Sequence, residues 1–179
     1  MDKSKQHKLK EFIKNNLGII LILTFGLMVR IYYFILTKNQ AEWWDSCEYL
    51  SMATHWVTGL PYEFNSQRPP LFPLIEALFL KLGFGDNLLK FIIEIIPSTL
   101  LILISYLIVK EMYNKKLALL VAFFTSVFWL ILFNTVRLHA DIPLLFFSYL
   151  AVYYFWKGYI KKEKNYYLYL TFIFIALAF

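Results

Sequence analysis

Three short segments of the chain carry the side chains whose types suit chemistry. In the first, Asp45, Glu48 and Tyr49 share one face of a predicted helix that ends at Gly59. If this helix lies at a membrane surface, the carboxylate at its start can point into a cavity and act as a general base. The structural alternative is that Asp45 caps the helix, because Asp is a common residue at helix starts. From these residues alone, capping is the simpler interpretation.

The second segment places Arg68 directly before two prolines, Pro69 and Pro70. Because proline restricts its own backbone and that of the preceding residue, the guanidinium enters the following helix in a defined position. A guanidinium is always charged and offers two parallel donors, which suits a phosphate. An anchor that contacts lipid headgroups explains Arg68 equally well.

The third segment is a short loop that holds Arg137, His139 and Asp141 just before Pro143. Proline is favoured in the first turn of a helix, so Asp141 is placed to cap the helix that follows. Capping is a complete structural explanation for Asp141. Arg137 and His139 are less easily explained that way, because both can face one cavity from so short a loop.

The composition predicts where these segments lie. Hydrophobic residues make up 60 % of the 179 residues, and the mean hydropathy is +0.57. A water-soluble fold of this size cannot bury so much apolar surface. We therefore expect an all-α integral membrane protein, a multi-span helix bundle with interfacial helices in a long first outer loop.

Charge and cysteine content argue against several function classes. The net charge is +6, but the basic residues sit in short runs between apolar stretches, a pattern that sets membrane orientation rather than nucleic-acid binding. The single cysteine, Cys47, excludes an internal disulfide framework and a Cys-based zinc site. The three histidines show no metal-ligand spacing. No cofactor is predicted, and nothing argues for a divalent cation.

Apolar runs and lysine placement predict the topology. A basic, cytoplasmic N-terminus (1–16) precedes the first span, and the segment 71–84 is an interfacial or re-entrant helix, because a spanning segment there would move the later lysines outside. The long outer loop is about 38–87, and the site therefore faces away from the cytoplasm of a cell membrane. The expected spans are 17–37, 88–109, 117–134, 142–160 and an incomplete 166–179.

Two features of these spans carry further expectations. Residues 166–179 would reach roughly 21 Å as a helix, short of a hydrocarbon core of roughly 30 Å, so we expect 17–179 to be the N-terminal part of a longer membrane domain. Arg30 lies within the first span. Charges inside a membrane usually face a wet cavity or the bundle interior. Because Arg30 is near the end of its span, we expect it instead to snorkel to the interface.

Together these elements resemble the first outer loop of the GT-C glycosyltransferases, near the protein O-mannosyltransferases and the aminoarabinose transferase that modifies lipid A. The matching elements are Asp45-Ser46, Tyr49-Leu50, Ala53 and Gly59, then Arg68-Pro69-Pro70-Leu71-Phe72-Pro73-Leu74, and later Asp141-Ile142-Pro143. The resemblance implies an enzyme that moves a sugar from a polyprenyl-phosphate carrier to a protein, lipid or glycan acceptor at the outer face of the bilayer.

By the same resemblance, Asp45 is the catalytic residue, matching a first-loop aspartate that acts as general base or orients the acceptor hydroxyl. The expected substrate-binding residues are Glu48, Tyr49, Arg68, Arg137, His139 and Asp141. The O-mannosyltransferase branch has Asp-Glu where this chain has Asp45-Ser46, which leaves Glu48 as a candidate second acid. The family's enzymes are longer, so we expect this chain alone to be inactive and a partner chain to supply missing spans.

Two other functions stay open on the sequence. The first is a non-catalytic membrane subunit that uses this fold to bind a lipid-linked sugar. The second is a small transporter, which should carry its polar groups near mid-membrane between broken helices. The polar groups here cluster at the predicted outer interface, and this disfavours transport.

Overall fold

The computed structural model describes residues 3–42, 44–62 and 68–178, and in this part of the chain the secondary structure is helical. Trp43 and residues 63–67 of the predicted outer loop, and Phe179 of the last predicted span, lie outside the described residues. The helices are α1 (Lys3–Thr37), α2 (Asp45–Thr58), α3 (Leu71–Lys81), α4 (Asp86–Lys90), α5 (Ile96–Met112), α6 (Lys115–Val127), α7 (Trp129–Thr135), α8 (Asp141–Phe155) and α9 (Tyr166–Leu177).

Two π-helical turns extend these helices. Phe91–Ile95 joins α4 to α5, so that Asp86–Met112 is one continuous helix. Trp156–Ile160 continues α8.

Length and hydropathy identify two membrane-spanning candidates within the described residues, Lys10–Thr37 and Asp86–Met112. A third exists if α6 and α7, which meet at an angle of 50°, count as one span. These helices confirm the expected all-α membrane protein. Helices also form over the other two predicted spans, as α8 and α9. That either of them crosses the bilayer stays a prediction.

Two clusters of buried side chains hold the bundle together. The first joins α1, α5 and α6 through Ile19, Ile102, Tyr106, Ala118 and Ala122. The second packs α2 and α3 onto the start of the Asp86–Met112 helix and the loop before α8. Its members are Tyr49, Phe72, Leu89, Ile93 and Leu138. The second cluster therefore brings the three predicted functional segments to one end of the bundle.

The ends of α2 follow local rules that the sequence predicts in part. The helix stops where predicted, at Gly59, whose φ of 74° is left-handed and whose N–H donates to His55 O at 2.8 Å. Its first residue is Asp45, but the N-cap is Trp44, with φ 54° and no side-chain capping bond. The capping interpretation of Asp45 is therefore wrong.

Arg30 does not snorkel. Its side chain is fully buried and lies in the interior of the bundle. The guanidinium donates to Ser98 Oγ at 2.7 Å, to Gly26 O at 3.0 Å and to Ser126 O at 3.2 Å. The expectation was wrong because Ser98 and Ser126 come from distant segments, and no local pattern reveals that they lie beside position 30.

Gly26 allows α1 to approach α5 and α6 at this point. A Cβ built on Gly26 would lie 2.4 Å from Ile102 Cδ1 and 3.1 Å from Ser126 Cβ, whereas one on Gly18 would meet only the flexible end of Leu119, at 3.2 Å or more. We expect Gly26→Ala to destabilise the protein by about 1–3 kcal/mol, the usual cost of overpacking. Gly18→Ala is the matched control and should be close to neutral. Thermal unfolding in detergent measures both, and equal effects would contradict the packing.

Candidate functional site

An ion-pair cluster joins two of the three predicted segments. Arg68 Nε donates to Glu48 Oε2 at 2.6 Å, and Arg68 Nη2 forms a close ion pair with Asp45 Oδ1. The guanidinium carbon is 5.7 Å from the centre of the Tyr49 ring. The four residues that sequence reasoning selected here, Asp45, Glu48, Tyr49 and Arg68, thus form one cluster.

The helical geometry of α2 explains how these groups converge. Asp45, Glu48 and Tyr49 are three and four residues apart, so they stand on one face of the helix. Tyr49 is buried against Phe72 of α3, with ring centroids 5.1 Å apart, and this contact docks α3 beside α2. Arg68, held by the prolines at the start of α3, is then placed over the carboxylates.

The electrostatics of the cluster keep the arginine charged and the tyrosine neutral. The hydrogen bonds that Arg68 donates to Glu48, first, and to Asp45 raise the pKa of Arg68 above its usual value. Burial is the main cause that raises the pKa of Tyr49. Asp45 keeps 45 % of its side chain exposed, so a ligand can reach its carboxylate. Because exposed ion pairs add little stability, Arg68 can exchange a carboxylate for another anion at low cost.

The third predicted segment packs next to this cluster through Leu138, which contacts the same buried core as Tyr49. Its polar residues point in different directions. His139 Nδ1 is 3.8 Å from Asp141 Oδ2, and the His139 backbone N–H donates to Glu94 Oε1 at 3.1 Å. Arg137 turns back on α7 instead, donating from Nη1 to Phe133 O at 2.6 Å with its guanidinium 3.8 Å from the ring centre. The expectation that Arg137 and His139 face one cavity therefore finds no support in these contacts.

Asp141 is not a helix cap. It is the first residue of α8, whose N-cap is Ala140 and lacks a side-chain capping bond. Its charge acts on Tyr49, as do those of Asp45 and Arg68.

Sequence reasoning missed a set of buried charges behind this site. Lys90 forms a close ion pair with Glu42, and both side chains are largely buried. Glu94 sits fully buried in the π-helical turn, and Glu76 of α3 is fully buried with no hydrogen-bond partner for either oxygen among the described residues. The available signal was the charged residue inside an apolar run, a rule that applies to Glu76, Lys90 and Glu94 as well as to Arg30.

An apolar groove begins beside Asp141. It lies between α6–α7 on one side and α8 on the other and has a volume of about 680 Å³. Asn134 and Asp141 are the polar residues near one end, while the apolar walls include Val121, Phe124, Phe128, Ile131, Leu144 and Leu145. We call this cavity the α6–α8 groove. An apolar chain with a polar head fits its character.

No metal site is evident in the described part of the chain. Within residues 3–42, 44–62 and 68–178, no three His, Cys, Asp or Glu side chains come close enough to hold an ion.

Comparison with known proteins supplies one match. Residues 67–179, more than half of the chain, match the family described as Dolichyl-phosphate-mannose-protein mannosyltransferase. The matched range includes Arg68, the third segment and the α6–α8 groove, whereas Asp45, Glu48 and Tyr49 precede it. No curated protein and no solved structure matches the chain.

The buried Glu76 should make stability depend on pH. Burial, helped by the charges of Glu42 and Asp86, raises its pKa from 4.5 to about 9. The folded state then holds the Glu76 proton more tightly than the unfolded state, so stability is full below pH 4.5 and falls as pH rises towards 9. We expect Glu76→Gln to reduce this fall in thermal stability between pH 5 and 8. Glu11→Gln, an exposed change on α1, should keep the wild-type slope, and a Glu76→Gln slope equal to wild type would contradict the assignment.

Proposed function

The chain belongs to the dolichyl-phosphate-mannose-protein mannosyltransferase family, and from this premise we propose that it transfers a mannosyl group from a polyprenyl-phosphate carrier to an acceptor hydroxyl at the outer face of the membrane. Membership makes it a membrane glycosyltransferase by family. The donor, the acceptor on a protein, lipid or glycan, and the side of the membrane are the proposed parts. The observation that carries the proposal is the pairing of Arg68 with Asp45 and Glu48, in a bundle that also holds an apolar groove with Asp141 in its lining.

The proposed reaction needs one proton acceptor and one cation. Asp45 removes the proton from the acceptor hydroxyl as its oxygen attacks C1 of the sugar. The bond between C1 and the phosphate oxygen breaks, and the electron pair leaves with the polyprenyl phosphate. Direct attack inverts the configuration at C1. A cation beside the departing phosphate stabilises the charge that develops there.

Arg68 suits the role of that cation, because its present partners are exchangeable. It is held by two carboxylates that remain partly exposed: 45 % of the Asp45 side chain and 40 % of the Glu48 side chain are accessible to solvent. In the proposal the donor phosphate replaces Asp45 as a partner of Arg68. The same exchange frees the Asp45 carboxylate to accept a proton. Donor binding and base activation are then one event.

The α6–α8 groove is the proposed place for the carrier's hydrocarbon chain. Its walls are apolar, as an isoprenoid chain requires, and Asp141 lies near one end. Asp141 and His139 are then near the sugar. Arg137 contacts Phe133, and its role in donor binding stays a prediction.

The second candidate function is a non-catalytic subunit that binds a lipid-linked sugar. The observation that favours it is that both carboxylates already have a structural partner in Arg68. A scaffold of this kind would bind the donor and would not need a free base.

Substitution of Asp45 separates the two candidates. We expect Asp45→Asn to lower mannosyl transfer at least about 100-fold, because a general base contributes on the order of 10²–10⁴ in rate. The assay uses membranes from cells that express the chain, so that any partner chain is present, with radiolabelled polyprenyl-phosphate mannose as donor. Insertion into the membrane should be unchanged.

Asp86→Asn is the matched control, since Asp86 is an exposed carboxylate near the same end of the bundle and lies outside the cluster. It should keep wild-type transfer. Equal transfer by Asp45→Asn and wild type would remove Asp45 as the base. Donor binding without transfer by the wild-type chain would favour the scaffold.

A further inference from the structure

Proline and glycine do not explain the bend between α6 and α7. The two helices meet at 50°, and Phe128 between them is extended, with φ −63° and ψ 117°. Sharp breaks usually arise at proline or glycine, or where a side chain inserts into the helical hydrogen bonds. Residues 115–135 contain neither proline nor glycine. Within α6, the Thr125 and Ser126 hydroxyls donate to Val121 O at 2.9 Å and to Phe123 O at 2.6 Å, and such bonds can bend a helix. A contact from another helix reaches the same place.

Arg30 of α1 occupies the place where the helix breaks. Its Nη1 donates to Ser126 O, two residues before Phe128, at 3.2 Å. In an unbroken helix that carbonyl would accept from the Leu130 amide. A break leaves carbonyls at the end of α6 without helical partners, and this is costly in an apolar interior. A buried cation at that position supplies a donor and also complements the negative end of the helix.

The same guanidinium is connected to the far end of α7. Arg30 Nε donates to Ser98 Oγ at 2.7 Å, and Ser98 Oγ is 2.6 Å from Thr135 Oγ1. Thr135 gives its own proton to Ile131 O at 2.6 Å, so Ser98 donates to Thr135. A continuous chain of hydrogen bonds thus runs from Arg30 through Ser98 into the last turn of α7. The Arg30 side chain is therefore hydrogen-bonded to α6 directly and to α7 through Ser98.

The bend matters because α7 is a wall of the α6–α8 groove. Phe128, Leu130, Ile131 and Asn134, from the break and from α7, all line it. We propose that Arg30 is a positioning residue that fixes the angle of α7 and thereby the shape of the groove near Asp141. It acts through Ser126 and Ser98 and touches no substrate. The assignment of the groove to the carrier's hydrocarbon chain rests on the proposed function, whereas the effect of Arg30 on the groove does not.

A distance measurement on the full chain tests this role without any donor. Spin labels on cysteines at Asn134, near the end of α7, and at Val152, on α8, report the position of α7 in a Cys47→Ser background. Swinging a six-residue arm through 50° would move its tip by about 7 Å. We expect a single narrow distance for the wild type. Arg30→Met, which removes every donor, should shift or broaden it by several Å, and Arg30→Lys should lie between.

Thr24→Val is the matched control on the same helix, because the Thr24 hydroxyl donates only within α1, to Ile20 O at 2.9 Å. It should keep the wild-type distance. An unchanged distance in Arg30→Met would overturn the inference. If that variant does not fold, Ser98→Ala and Thr135→Val leave Arg30 in place and cut its link to α7, and both should broaden the distribution. Wild-type distributions in both would equally overturn it.

The outcome is independent of the proposed function. A bend that depends on Arg30 in a chain that transfers no mannose would refute the enzyme and keep the positioning role. Active transfer together with an unchanged bend in Arg30→Met would refute the positioning role and keep the enzyme.

Discussion

The cost of a charge in an apolar bundle governs this structure. A charge away from water needs hydrogen-bond partners or an opposite charge nearby, and in a helical membrane protein those partners come largely from other helices. Arg30 finds partners for Nε and Nη1 between α1, α5 and α6, while its Nη2 has no hydrogen-bond partner among the described residues, and Lys90 pairs with Glu42. These two buried charges therefore fix the relation of one segment to another, which apolar packing alone leaves adjustable.

The candidate site uses the same principle at the end of the bundle, where water can enter. Arg68 ties the start of α3 to the start of α2 through Asp45 and Glu48. Here the charges are partly exposed, so the pairing is weak enough to change partner. A buried ion pair can fix two segments in place, whereas a partly exposed pair can open to bind a ligand. In the proposed reaction the phosphate of the carrier replaces Asp45 as a partner of Arg68.

The sequence predicts well what local rules determine. The apolar runs predict the helical membrane protein. Gly59 ends α2 as expected, because the backbone there is left-handed and glycine adopts that conformation without strain. The spacing of Asp45, Glu48 and Tyr49 places them together, since helical geometry alone decides it. The family resemblance identified from these residues agrees with the family that residues 67–179 match.

What the sequence does not predict depends on partners far along the chain. The pairing of Asp45 with Arg68 joins positions 23 residues apart, so a capping role seemed simpler. Arg30 was expected at the interface because Ser98 and Ser126 are 68 and 96 residues away. The break at Phe128 has no glycine or proline to reveal it, and we infer that Arg30, from another helix, fixes its angle. Tertiary contacts, rather than helix propensity, decide these features.

A comparison of donors tests the central claim most directly. Membranes that contain the chain are given mannose linked either to a polyprenyl phosphate or to a nucleoside diphosphate, each carrying the same label, under conditions that block conversion of one donor into the other. The account predicts labelled product from the lipid-linked donor alone, with the configuration at C1 inverted. Product from the nucleotide-linked donor alone would contradict it.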